Sequence, residues 1–218
     1  MAEYIDPHQF IISRKRKKYR FAKFQNSPLC FEHDEWQRKA VDCIELGAGN
    51  GLFTVEQATR RPELTYLAVD VKGDRLQHGA YVAMEQGATN VSFVRARGDQ
   101  LTDLVKPHSL SELWLTFPDP YPKKRSAGRR LTAPFFLAIY QSVLAGDGAL
   151  YFKHDNREFF IWSLEQLVAN GWRIVELSFD LHDSILPDHY KILTKYETKW
   201  LAEGLVTHFV KALPPLAS

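Results

Sequence analysis

Cysteine is nearly absent from this chain of 218 residues: Cys30 and Cys43 are too few for a disulfide framework. Cys43 falls inside a strand-like run and reads as a small core residue. Long apolar runs are missing as well. None approaches the roughly 18–20 residues that cross a bilayer, and the N-terminus is polar and then basic, without an apolar signal core. A soluble, cytoplasmic protein with no membrane partner is expected. His8, His33, His78, His108, His154, His182, His189 and His208 lack metal-ligand spacing, so no metal is expected. Nucleophile elbow, phosphate loop and Ser/His/Asp patterns are also lacking. With no internal repeat and no low-complexity linker, one principal domain is the default at this length.

Acids are missing from two stretches in particular. Arg14, Lys15, Arg16, Lys17, Lys18, Arg20 and Lys23 crowd into ten residues, and Lys123, Lys124, Arg125, Arg129 and Arg130 form a second cluster. Together they hold 12 of the 28 basic residues, although the net charge is only +2. Interleaved with Tyr19, Phe21, Phe24 and Tyr121, two such patches point to a polyanion, nucleic acid above all. Residues 1–38 read as a basic, partly flexible N-terminal arm, and 39–218 as the folded domain.

What the chain does have is strand-like runs alternating with helical periods. Strands are expected at 40–46, 65–70, 91–95, 113–117, 149–153 and 173–179, and helices at 52–60, 75–86, 134–145 and 157–170. That alternation implies βαβ units and a doubly wound, mostly parallel α/β sheet covered on both faces.

Glu45-Leu-Gly-Ala-Gly-Asn-Gly51 sits where the first of these strands hands over to a helix. Gly47, Gly49 and Gly51 suit a tight turn and close approach of a ligand to backbone. Position 52 is Leu, so the dinucleotide pattern G-x-G-x-x-G is not met. Asp70 ends the next strand, where a carboxylate accepts hydrogen bonds from ribose hydroxyls. Asp119 follows a later strand, held between Pro118 and Pro120, which stiffen the turn. The plainer reading of 117–125 is a proline-rich surface loop with a solvated charge run. Glycine turn and two strand-end acids together describe an S-adenosylmethionine site: Asp70 for the ribose, Glu45 for the methionine end, Asp119 beside the methyl group. A dehydrogenase on the same fold and a non-catalytic RNA-binding module remain as alternatives.

Phe117-Pro-Asp-Pro-Tyr-Pro-Lys-Lys-Arg125, followed by Arg129-Arg130-Leu131, resembles the tRNA (guanine-N7)-methyltransferase family. The resemblance continues at Lys153-His-Asp-Asn156, similar to the family's Thr-Asp-Asn segment, and at Thr194-Lys-Tyr-Glu197. It implies a Rossmann-like S-adenosylmethionine-dependent methyltransferase that modifies N7 of a guanine in the tRNA variable loop, working as a monomer or homodimer. It assigns Glu45, Gly47, Gly49, Asp70, Arg97 and Asp119 to the cofactor, with Asp119 also catalytic. Lys123, Asp155, Thr194, Lys195, Tyr196 and Glu197 fall to the tRNA side. Arg97 stands where the family usually has Asn or Asp against the adenine, with Asp99 as its alternative. Tyr121 stands where Trp is commoner, which keeps an aromatic face. Thr194 and Glu197 also fit a helix-capping box.

Overall fold

The computed structural model describes residues 4–216, apart from the side chains of Lys195, Tyr196 and Lys199. Eight strands form one sheet: β1 (Cys30–Glu32), β2 (Cys43–Leu46), β3 (Tyr66–Asp70), β4 (Val91–Arg95), β5 (Leu110–Thr116), β6 (Leu144–His154), β7 (Arg173–Ser178) and β8 (His208–Leu213). Their order is β1-β4-β3-β2-β5-β6-β8-β7. The pairs from β1 to β6 are parallel, while β8 runs antiparallel between β6 and β7. The doubly wound, mostly parallel sheet expected from the sequence is therefore present.

The central strands are apolar on both faces because both faces are covered. Helices α1 (Lys15–Gln25), α2 (Leu52–Arg60) and α3 (Gly73–Gln86) press Phe24, Val55, Ala58, Leu76 and Ala80 against Cys43, Ala68 and Phe93. On the other face lie α4 (Leu101–Leu104), α5 (Pro134–Val143) and α6 (Arg157–Ala169). They bury Leu104, Leu137, Tyr140, Phe160 and Leu167 against Ile44, Leu113 and Phe152. Each such fully buried side chain contributes about 1.5–3 kcal/mol of transfer free energy. A third cluster joins Phe53, Trp114, Tyr151 and Phe209 to Leu181, Tyr190 and Ile192 of the segment leading into α7 (Lys195–Ala202). β2 is flanked by β3 on one side and β5 on the other, so winding reverses there and a crevice opens beyond the carboxyl ends.

Outside the expected strands and helices lie α1, β1, α4, α7 and β8. The stretch before residue 38 carries α1 and the edge strand β1, which pairs with β4. α1 has four cations in its first turn and no acid there, against the helix dipole. Packing holds it: Ala22 and Phe24 are buried, and Phe21 lies under the Arg95 guanidinium at 4.9 Å. Asn26 closes its end, receiving the Ile5 N–H at 2.8 Å.

Candidate active site

A cavity of about 590 Å³ occupies the crevice at the carboxyl ends of the strands. Four elements deliver an acid to its lining: β2 gives Glu45, β3 gives Asp70, the loop after β5 gives Asp119, and the end of β6 gives Asp155. Lys72, Arg75 and Arg129 also reach it. Of the expected site residues, Gly47, Gly49 and Thr194 line the same cavity.

The glycine loop is shaped by sterics. Gly49 turns at φ +58°, and its N–H donates to Asp70 Oδ2 at 2.9 Å. Space beyond its Cα is open, so backbone faces the cavity directly. At Gly51 a Cβ would stand 2.6 Å from the Phe93 ring, which seats α2 close on the sheet. The other Asp70 oxygen accepts the Lys72 N–H at 2.8 Å. Burial raises the Asp70 pKa, and these two N–H groups oppose the rise.

Glu45 is almost fully buried, and its oxygens accept the hydroxyls of Thr54 and Thr116. Desolvation pushes its carboxyl up to about 7, although both hydroxyls and the nearby Lys153 favour the charged form. A buried carboxylate poised there gains most from a cationic ligand group.

The Asp119 turn is strained at both ends and clamped from both sides. Phe117 and Tyr121 take φ +49° and +40°, a left-handed region that non-glycine side chains rarely adopt. Phe117 N–H makes the last rung onto β6, reaching Lys153 O at 3.0 Å. His154 stands behind the turn. Its Nδ1 accepts the Asn156 N–H at 2.8 Å, which leaves the proton on Nε2 to donate to Pro118 O at 3.0 Å. Burial lowers the His154 pKa, in keeping with a neutral ring. From the other side Arg130 donates to Pro120 O at 2.9 Å and Tyr121 O at 3.1 Å, while its guanidinium stacks on Trp162 at 4.3 Å. Arg130, expected among the phosphate-neutralising cations, is thus committed to the turn. Asp119 itself is exposed to the cavity.

Other expected residues lie elsewhere. Arg97 is not in the lining; its exposed side chain folds back onto Asp99 at 2.8 and 2.9 Å, while Ala96 and Gly98 face the cavity. Lys123 is exposed outside the lining. Glu197 is sealed in the interior. It accepts from Lys153 Nζ at 2.9 Å, from His182 at 2.8 Å and from the Thr194 N–H at 2.9 Å. Burial would raise its pKa, but these partners hold it below the usual carboxylate range. Thr194 Oγ1 accepts the Glu197 N–H at 3.1 Å, so the capping box is formed while Thr194 also meets the cavity. The side chains of Lys195 and Tyr196 lie outside the described residues.

Sequence reasoning gave no role to Thr54, Thr116, Lys153 or His154. Thr54 and Thr116 lie far apart in the chain and meet only through Glu45, so no local signal marks them. His154 precedes Asn156, the N-cap of α6, and that junction was the available cue.

Among the described residues no group of His, Cys, Asp and Glu could hold a metal, and no helix is long and apolar enough to cross a membrane. A family profile described as a putative methyltransferase matches residues 39–210. A tRNA (guanine-N(7)-)-methyltransferase of Cytophaga hutchinsonii is 34% identical over 82% of this chain and 82% of its own. One of Brevibacillus brevis is 35% identical over 88% of this chain and 91% of its own. Among solved structures, the 16S rRNA (adenine(1408)-N(1))-methyltransferase of Catenulisporales acidiphilia superposes with a TM-score of 0.59 at 16% identity, covering 100% of this chain and 96% of that one. The antibiotic-resistance methyltransferase Kmr gives 0.55 at 20% identity, with 84% and 90% covered. Those two likenesses are of fold.

Proposed function

Because the chain belongs to the tRNA (guanine-N7)-methyltransferase family, we propose that it methylates N7 of a guanine in the tRNA variable loop, with S-adenosylmethionine as the methyl donor. The observation that carries this reading is the convergence of Glu45, Asp70, Asp119 and Asp155 from four strand ends on one cavity. The lining fits the donor's chemistry: Gly49 offers bare backbone, Asp70 stands at a strand end for ribose hydroxyls, and buried Glu45 suits an ammonium group. S-adenosylmethionine supplies a methyl group on a cationic sulfur.

Guanine N7 carries an in-plane lone pair, so no proton need leave before it attacks. The residues' work is then alignment of the two reactants and charge stabilisation. Asp119, presented by a clamped turn, accepts hydrogen bonds from the guanine N1 and amino groups and stabilises the positive charge that methylation places on the base. Asp155 serves the base edge from the neighbouring strand end. Gly47 and Gly49 hold the donor's backbone side, and Thr194 closes the tRNA side together with the start of α7, Lys195 and Tyr196 included. Lys123 to Arg125 lead out towards phosphate. Arg97 serves the adenine end only if it leaves Asp99; Glu197 acts indirectly, by fixing Thr194. The protein works in the cytoplasm as a monomer or homodimer, with residues 1–38 as a tRNA-facing arm on the 39–218 methyltransferase domain.

The test is transfer of labelled methyl from S-adenosylmethionine to unmodified tRNA, with the labelled nucleotide mapped. Labelling of a variable-loop guanine at N7 is expected; binding of S-adenosylmethionine without any label on tRNA would refute the activity. Asp119→Ala should lower kcat by about 10²–10³-fold, leaving the melting temperature nearly unchanged.

A further inference from the structure

Tyr121 lines the cavity, and the Arg129 guanidinium lies 4.5 Å from the centre of its ring, so a planar cation covers an aromatic face inside the site. The two members of this stack are held very differently. Tyr121 sits at φ +40°, its carbonyl and that of Pro120 both gripped by Arg130. The backbone that carries the ring is therefore fixed. Arg129 is exposed, and among the described residues no carboxylate pairs with it. It is the movable member.

We propose that Tyr121 is the stacking platform for the target guanine and that Arg129 covers it until the base displaces it, whereupon the freed guanidinium takes a tRNA phosphate. The proposal rests on the methyl-transfer reading given above and extends it to how the base is received. Magnitudes favour the exchange. A cation over an exposed ring is worth about two- to fivefold in an equilibrium constant, whereas a base stacked on an aromatic side chain is worth about five- to 150-fold. Arginine also loses little on leaving, because phosphate offers it a bidentate, charge-assisted partner. Place supports the guanine over the donor's adenine. Tyr121 belongs to the β5 and β6 side of the cavity with Asp119 and Asp155, whereas Val71, Ala96 and Gly98 line the side of β3 and β4. An unstacked loop base is the form in which a protein can present N7, and aromatic rings are how such bases are held.

The experiment measures kcat/KM for an unmodified tRNA transcript across a salt series, beside the S-adenosylmethionine Kd, for the wild type, Tyr121→Phe, Tyr121→Leu and Arg129→Gln. Leucine keeps bulk at the strained position without a π face. Tyr121→Leu should lower kcat/KM by about five- to 150-fold, Tyr121→Phe by less than about threefold, and neither should move the Kd. Arg129→Gln should flatten the slope of log kcat/KM against log salt by about 0.7–0.9, the release of one counterion. If Tyr121→Leu matches the wild type, if Tyr121→Phe is as slow as Tyr121→Leu, or if the Arg129→Gln slope is unchanged, the exchange is wrong while methyl transfer stands. A wild-type protein that leaves tRNA unmethylated would overturn the underlying reading, and this inference with it.

Discussion

At the scale of single residues, the site depends on two buried groups whose protonation is set by their surroundings. Glu45 titrates at about 7 because burial disfavours its charge. Relative to an ordinary carboxyl near 4.5, the folded state holds this proton longer. The group therefore costs stability progressively as pH rises from 4.5 to 7, and fully above that. A ligand ammonium needs the ionised form, and the ionised fraction is about one tenth at pH 6 and three quarters at pH 7.5. S-adenosylmethionine should accordingly bind roughly eightfold more weakly at pH 6 than at pH 7.5 by titration calorimetry, and Glu45→Gln should abolish that dependence. His154 is the second. His154→Phe keeps the edge contact with Phe159 and removes the donor to Pro118 O. An unsatisfied buried carbonyl costs about 1–3 kcal/mol, here felt at the Asp119 turn. A fall in kcat of about tenfold is expected, with S-adenosylmethionine affinity retained and partial recovery in His154→Gln; equal kcat in all three proteins would show that the clamp is idle. Asp70 and Asp119 were legible as acids at strand ends and Glu45 as the acid that opens the glycine loop, whereas Asp155 was legible only through the family resemblance. For Arg97 the sequence gives the place of the backbone beside the cavity but not the direction of the side chain, which Asp99 two residues on captures.

At the scale of elements, periodicity marked the helices and strands with a covered apolar face, and their observed bounds differ from expectation by a few residues. β8 was missed because it lies far from its partners in sequence, and its antiparallel insertion between β6 and β7 is decided by tertiary pairing. α1 was missed because charge masks its two buried side chains, Ala22 and Phe24. The attachment of α7 was equally hidden. Lys153 and Glu197, both fully buried, tie α7 to β6, and Lys153 also donates to Ile192 O at 2.6 Å. Breaking one partner of such a pair leaves a buried charge and costs about 3–5 kcal/mol, whereas replacing both with apolar groups is often neutral. Glu197→Gln should thus lower the denaturant midpoint sharply, and Lys153→Met with Glu197→Leu should regain much of the loss. Because Thr194 borders the cavity through this attachment, the single variant should also raise the KM for tRNA. An unchanged midpoint in Glu197→Gln would mean that α7 is docked by other contacts.

For the whole molecule, the question is whether the basic N-terminal stretch serves RNA, the fold, or both. Its exposed cations, Lys15, Arg16 and Lys17, belong to the same helix that buries Phe24 and packs on α3. The two roles are therefore separable by face. Replacing Lys15, Arg16 and Lys17 with Gln leaves the buried face intact and removes three phosphate-seeking charges. The KM for tRNA should rise, and the slope of log binding constant against log salt should shrink by about two to three, with the melting temperature unchanged or slightly raised as repulsion and the unfavourable dipole interaction are relieved. Deleting residues 1–27 instead removes Phe24 and the Phe21 contact with Arg95. Loss of a buried phenylalanine costs about 3–5 kcal/mol, so the truncated protein should melt markedly lower even without RNA. A truncated chain as stable as the full one, with only its salt slope altered, would mean that α1 is an appendage. The combined result would also say why so many like charges are tolerated in one helix: tertiary burial of Phe24 outweighs a few tenths of a kcal/mol of repulsion per pair, leaving the outer face free to meet a polyanion.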